Sequence, residues 1–344
     1  MYKVLDLFSG CGGLSLGLEQ AGFEILLGID SWQDALDTFK ENHPNSEIYC
    51  QDLSKIDFNF IENEYLQADV DVIVGGPPCQ GFSISGKRDP SDPRNKLYTS
   101  FVKSVEHFKP KAFLMENVPN LASMQNGSIK DTIVSEFEEL GYNVKYDRLL
   151  ASDYGVPQNR KRFIMVGLLD GQEYLFPEKT HINNKITTGE AISDLPEHSV
   201  ICGTKYQSEP LSDYQYQFRK GSKGILNHEI TNHTEKTKSI ISLVPDGGNY
   251  KDLPEKYKNT RNVNIAWTRY NSSKPSLTID TGHRHHFHYE FNRVPTVRES
   301  ARLQSFPDDF KFMGSKTSQY KQVGNAVPPL MSKHLGQALL KKLS

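Results

Sequence analysis

The stretch with the most chemistry in it is Gly75-Gly76-Pro77-Pro78-Cys79-Gln80-Gly81-Phe82-Ser83. A cysteine attacks electron-poor carbon as its thiolate, and it does so best when held still against its target. Val70-Asp71-Val72-Ile73-Val74 reads as a buried strand. Two glycines then let the chain leave the sheet, and two prolines fix φ just ahead of Cys79. A lone cysteine is more often a small inert core residue. The stiff turn favours a positioned nucleophile instead, because open α/β sheets bind their ligands just beyond such strand ends.

A second constellation opens the chain. Val4 to Phe8 reads as a strand, Ser9-Gly10-Cys11-Gly12-Gly13 as a glycine loop, and Leu14 to Gln20 as a helix stopped by Gly22. Bare backbone N–H groups in such a loop approach a ligand closely. The next strand, Glu24 to Asp30, ends in a carboxylate twenty residues beyond Gly10, the spacing at which an acid meets ribose hydroxyls. Ser31 and Asp34 are expected to box the start of a helix running to Asn42, and Asp52 follows a third strand, Ile48 to Cys50. The glycines follow G-x-G-G, without the nicotinamide fingerprint or a Walker lysine. With carboxylates at successive strand ends, the pattern points to an adenosine cofactor lacking a phosphate chain.

Positioning these groups takes a sheet. Ala112 to Met115 is a further strand, ending in Glu116-Asn117-Val118-Pro119. In a doubly wound sheet of order 3-2-1-4-5, the glycine loop, Cys79 and Glu116 converge at one edge. Strands Tyr142 to Leu149 and Phe163 to Leu168 flank Gln158-Asn159-Arg160-Lys161-Arg162, whose two arginines at i and i+2 are expected to point the same way. Such a pair could hold a phosphate or a base carbonyl. Ser85 to Lys96 reads as a polar loop. From about Phe176 to Phe291 the texture becomes irregular, and His283, His285, His286 and His288 lack regular metal-ligand spacing. They read as loop or nucleic-acid contacts.

The 344 residues suffice for two cores, and a composition of 37% hydrophobic and 24% charged residues is that of a globular protein. No apolar run approaches the ~18 residues of a membrane span, and the N-terminus opens directly into a strand, so a cytoplasmic protein without a membrane partner is expected. The net charge of −2 hides an asymmetry: residues 251–344 hold 16 Lys+Arg against 7 Asp+Glu, and the first 250 hold 24 against 35. A basic quarter on an acidic body suits a polyanion held against one side.

Taken together, these motifs resemble the bacterial C5-cytosine DNA methyltransferases over nearly the whole chain. Asp6 to Gly13 is similar to the family's cofactor motif, Gly76 to Ser83 to its nucleophile motif, and Glu116-Asn117-Val118 to its acid motif. Gln158 to Arg162, Arg298-Glu299 with Ala301 to Gln304, and Gly324 to Pro328 complete the order, while residues 180–290 match nothing usable. The resemblance implies a doubly wound mixed α/β sheet of the S-adenosylmethionine-dependent methyltransferase fold, with a smaller irregular target-recognition domain. Expected boundaries are 1–178 for the catalytic domain, 179–310 for target recognition, and 311–344 for a segment returning to the first.

It further implies S-adenosylmethionine as methyl donor and a flipped-out cytosine of double-stranded DNA as acceptor. Phe8, Gly10, Gly12, Leu14, Asp30, Asp52, Pro78 and Asn325 would line the cofactor pocket. The second-strand acid, often Glu in the family, is the shorter Asp30 here. Cys79 would add to C6, Glu116 would serve N3 as acid, and Arg160 or Arg162 would hold O2. Ser83, Ser85, Arg88 and Arg94 would meet DNA. A monomer is expected, either paired with a restriction endonuclease of the same specificity or acting as an orphan or phage methylase. A tRNA-cytosine methyltransferase of the same fold and an inactive DNA-binding relative are the alternatives.

Overall fold

The computed structural model describes residues 1–66, 68–78, 95–169, 171–258, 267–282 and 285–344. Cys79, Ser83, Ser85, Arg88 and Arg94, with His283, lie outside the described residues. The chain divides into two compact units, residues 1–150, 161–178 and 329–344 in the first and residues 151–160 and 179–328 in the second.

The first unit alternates strand and helix: β1 (Lys3–Leu7), α1 (Gly13–Ala21), β2 (Glu24–Asp30), α2 (Gln33–Asn42), β3 (Glu47–Cys50), α3 (Phe58–Glu64), β4 (Val72–Gly75), α4 (Asn95–Phe108), β5 (Ala112–Asn117), α5 (Ser128–Glu139), β6 (Asn143–Leu150) and β7 (Lys161–Leu168). They form one seven-stranded sheet, β3-β2-β1-β4-β5-β7-β6. The first five strands are parallel neighbours, while β7 runs antiparallel to both β5 and β6. This is the doubly wound mixed sheet expected from the motifs. Its central strands are apolar on both faces because helices cover both, the pattern of a buried parallel sheet. Phe101, Phe113, Phe137 and Phe163 anchor the core on one side, Phe113 and Phe137 stacking at 4.0 Å between ring centroids.

The second unit has little regular structure among its described residues. It holds α6 (Thr188–Ile192), α7 (Asp213–Arg219), α8 (Glu235–Ile241), α9 (Glu255–Lys258), the two-residue strands β8 (Thr268–Arg269) and β9 (His286–Phe287), α10 (Val297–Leu303) and α11 (Lys316–Asn325). The chain then returns to the first unit as α12 (Pro329–Leu343), which packs on α1. The return expected at 311 therefore falls at Pro329, because α11 packs against α10. Residues 151–160 also belong to the second unit, tied there by Asn159 N–H to Ser276 O at 2.8 Å and Thr180 N–H to Asp153 O at 3.0 Å.

Candidate active site

In the first unit, sheet register brings the segment that precedes Cys79 beside Glu116. Parallel pairing sets Val74 beside Leu114 and Gly75 beside Met115, so the next residue on each strand, Gly76 and Glu116, meet at the sheet edge. A Cβ placed on Gly76 would stand 3.0 Å from Glu116 Oε2, so glycine gives the carboxyl its room. The Asn117 side chain donates from Nδ2 to Pro77 O at 2.8 Å and accepts from Val118 N–H at 2.8 Å. Opposite, Glu116 pairs with Ile164 of β7, which leaves Arg162 as the diagonal neighbour on the same face. Its Nε lies 2.6 Å from Glu116 Oε1, with both side chains largely enclosed.

The glycine loop follows β1. Phe8 and Gly10 take left-handed φ values of 59° and 53°, and Gly12, at 87°, has His43 Nε2 2.4 Å from where a Cβ would stand. Asp30 accepts from Gly10 N–H through Oδ2 and from Trp32 N–H through Oδ1, both at 2.9 Å. The box expected from Ser31 and Asp34 does not form: α2 begins one residue later, with Trp32 as its N-cap and no side-chain cap bond. Asp30, held by the strand, has taken the Trp32 N–H. Asp52 accepts from Ser54 N–H, and its acidity is strengthened by its bonds to Ser54.

These residues fit a nucleoside-bearing cofactor. Nothing lies within 4 Å of a Cβ position at Gly10, so the loop faces open space. The Ser9 hydroxyl is buried without a hydrogen-bond partner among the described residues, an arrangement costly unless a ligand or water completes it. A carboxylate oxygen accepts more than one hydrogen bond, so Asp30 suits a ribose hydroxyl as well as its backbone donors. Leu14 is buried on α1, and Cys11 is inert, its thiol pushed up to about 12 by burial.

Arg160 departs from the sequence expectation that it shares a face with Arg162. Strand β7 begins at Lys161, so alternation does not extend back to Arg160. Its buried guanidinium belongs to the second unit and donates to Ile279 O at 3.2 Å and Gly324 O at 2.8 Å. Gln304 donates to Ala326 O at 2.6 Å, so the carbonyls on either side of the exposed Asn325 are both held. Of the two arginines, Arg162 is the one at Glu116.

Among the described residues, four of the 16 Lys and Arg of residues 251–344 are interior, as are Glu299 and Asp308 of its seven acids, so most of the basic excess lies elsewhere in that quarter. Arg269 donates to the backbone carbonyls of Ile241, Val244 and His288, and Arg298 to those of Leu226, Pro307 and Phe310. Arg293 forks onto Glu299, and Arg302 is paired with Asp194 and Asp308. His288 accepts at Nδ1 from Glu290 N–H and Phe291 N–H, and burial pushes its ring down to about 4. It organises a loop. Among the described residues no group of three or more His, Cys, Asp or Glu is placed to hold a metal.

A doubly wound sheet whose edge carries an open glycine loop and an ion-paired acid belongs to the α/β class that binds ligands at such edges. The profile of the C-5 cytosine-specific DNA methylases matches residues 2–341, and the chain belongs to that family. It is 41% identical to the Type II methyltransferase M1.HphI of Haemophilus parahaemolyticus, covering 98% of this chain and 86% of that protein. It is 38% identical to M.DdeI of Desulfomicrobium norvegicum, over 99% and 88% of the two chains. Among solved structures, a DNA modification methyltransferase encoded within an E. coli prophage superposes with a TM-score of 0.82 at 27% identity, over 100% of this chain and 99% of that one. The protein is a DNA methyltransferase acting at cytosine C5. Asn117 and Gly76 were not singled out as site residues from sequence, since their roles depend on which strands are neighbours.

Proposed function

We propose that the chain methylates C5 of a cytosine flipped out of duplex DNA, using S-adenosylmethionine bound over the glycine loop. Cytosine C5 is too weak a nucleophile to take a methyl group unaided, and covalent addition at C6 divides the barrier into two lower ones. The Cys79 thiolate forms an S–C6 bond, pushing an electron pair toward N3 and O2. Glu116 manages the proton at N3 and accepts from the exocyclic amine, which discriminates against thymine. Arg162 holds O2 while keeping Glu116 oriented. The cofactor, when bound, supplies an electrophilic methyl group. C5 of the enamine takes that group as its bond to the donor sulfonium breaks, leaving a neutral thioether; a base then removes the C5 proton, and the S–C6 bond breaks to return the thiolate.

Phe8, Gly10, Gly12, Leu14, Asp30, Asp52, Pro78 and Asn325 remain our assignments for the cofactor. Ser83, Ser85, Arg88 and Arg94 remain our assignments for DNA. The similarity to Type II methyltransferases supports a role in restriction and modification; a bacterial cytoplasm and a monomeric state are part of our reading. Among the described residues no helix is long and apolar enough to cross a membrane. The observation that carries the proposal is the meeting of Gly76, Glu116 and Arg162 at the edge of β4, β5 and β7, next in the chain to the Pro77-Pro78-Cys79 turn.

DNA with 5-fluorocytosine at the target has no C5 proton to lose, so the adduct should accumulate with S-adenosylmethionine and survive denaturing electrophoresis. Cys79→Ala should abolish both adduct and turnover while cofactor binding persists. An adduct that still formed in Cys79→Ala would overturn the proposal.

A further inference from the structure

After β4 ends at Gly75, Gly76-Pro77-Pro78 leads to the proposed nucleophile, and what holds this segment comes from another strand. Asn117, at the last position of β5, is 5% exposed and reaches across to Pro77 O at 2.8 Å, joining positions forty residues apart. Its other amide atom, Oδ1, is taken by Val118 N–H at 2.8 Å, which fixes the amide's orientation. The donor side is therefore committed to Pro77. Beyond that carbonyl the chain has few soft torsions, because Pro78 locks its own φ and restricts the ψ of Pro77. Before it, a Cβ on Gly75 would stand 2.1 Å from Leu7 O, so the preceding residue sits tightly against β1.

We infer that Asn117 is a positioning residue for the nucleophile turn. By anchoring the Pro77 carbonyl it limits where the chain can deliver the thiol two residues later, relative to Glu116 next door. The inference rests on the reading of Cys79 as nucleophile. Misplacement by about 1 Å can cost on the order of a hundredfold in rate. Asn117 touches neither substrate nor cofactor in this account, so its loss should appear in the covalent step and not in binding.

Asn117→Asp keeps the acceptor for Val118 N–H and removes the donor to Pro77 O at unchanged size. Three measurements on the full-length enzyme test it. Release of tritium from C5 of target cytosine without cofactor reports addition and reversal of the thiol alone, and should fall about ten- to a hundredfold. Equilibrium binding of S-adenosylmethionine and of target DNA should stay within about twofold. The pH profile of Cys79 alkylation by iodoacetamide should move, since the thiol no longer sits in its native surroundings.

Asn117→Ala should behave as Asn117→Asp does, without placing a carboxylate against a carbonyl. Unchanged tritium release in both variants overturns the inference. So does loss of cofactor or DNA binding in proportion to rate, or failure of both variants to fold, each of which makes Asn117 a structural residue only. If Cys79→Ala itself still released tritium, the nucleophile reading would fail first, and the two failures are distinguishable.

Discussion

Asp6 and Glu299 are both buried carboxyls, one in each unit, and their acidities move in opposite directions. Asp6, on β1, accepts the Ser15 hydroxyl at 2.6 Å and has no cation beside it among the bonds of the described residues. Burial raises it to about 7, against a smaller lowering by Ser15, and the neighbouring Asp30 charge adds to the rise. Glu299, on α10, is just as enclosed, and burial alone would raise it too. Arg293 grips both its oxygens at 2.8 Å, with His288 beside it, and the carboxyl is held down at about 2. The unit with a sheet builds its interior from apolar strands and tolerates a lone acid beside the ligand loop. The unit almost without a sheet uses arginines to bind carboxylates and the carbonyls that strands would otherwise have satisfied. In its partners alone Glu116 is intermediate: among the described residues one cation, Arg162, faces one of its oxygens.

The sharpest way to probe that intermediate position is Glu116→Gln. Glutamine keeps the size and an acceptor for the cytosine amine but gives up proton transfer and the charge facing Arg162. Turnover should fall by roughly two to four decades, the range for loss of a general acid. DNA affinity should change far less. Near-normal turnover in a methyl-transfer assay would move the acid elsewhere and remove Glu116 from the comparison.

The second unit's dependence on paired charge is tested by Arg293→Met. It leaves Glu299 buried without its main cation, and such half-removed pairs lose about 3–5 kcal/mol. Urea denaturation followed by fluorescence should show the loss. Adding Glu299→Leu should recover most of it, because a well-packed apolar replacement removes the stranded charge. A loss below about 1 kcal/mol in the single variant would mean that solvent or His288 compensates, contrary to our account. The wild-type pH dependence carries the same sign: Glu299 binds its proton less readily folded than unfolded. Its contribution is complete above about 4.5 and is lost as pH falls toward 2.

What was legible beforehand follows the same division. In the first unit, apolar runs alternating with helices suggested a doubly wound sheet, and the 3-2-1-4-5 order of that class puts the glycine loop, the Gly76-Pro77-Pro78 segment and Glu116 at one edge. The partnership of Glu116 with Arg162 was hidden, since it needs β7 inserted antiparallel beside β5, a neighbour that local pattern does not announce. Arg160 does not share a face with Arg162 because it lies one residue before the strand begins. In the second unit the boundaries and the arginines were opaque for one reason. Charge in a sequence reads as surface, and here Arg269, Arg293, Arg298 and Arg302 are interior. Composition cannot tell a solvated cation from one that replaces a strand.

The smallest expected effect belongs to Asp6, and it runs opposite to that of Glu299. With a folded pKa near 7 and an ordinary value of 3.8, Asp6 keeps its proton in the native state at pH values where the unfolded chain has released it. The unfolded state then binds fewer protons, so stability falls as pH rises from about 4 through 7 and levels off beyond. An asparagine in its place cannot titrate, and the amide oxygen can still accept the Ser15 hydroxyl. Asp6→Asn should therefore flatten that descent, gaining on the order of 1–3 kcal/mol relative to wild type at pH 8 compared with pH 5. Urea midpoints at the two pH values measure the difference directly. If the two proteins descend in parallel, Asp6 is already ionised when folded at neutral pH, and the contrast between the lone and the paired carboxyl reduces to the arginine alone.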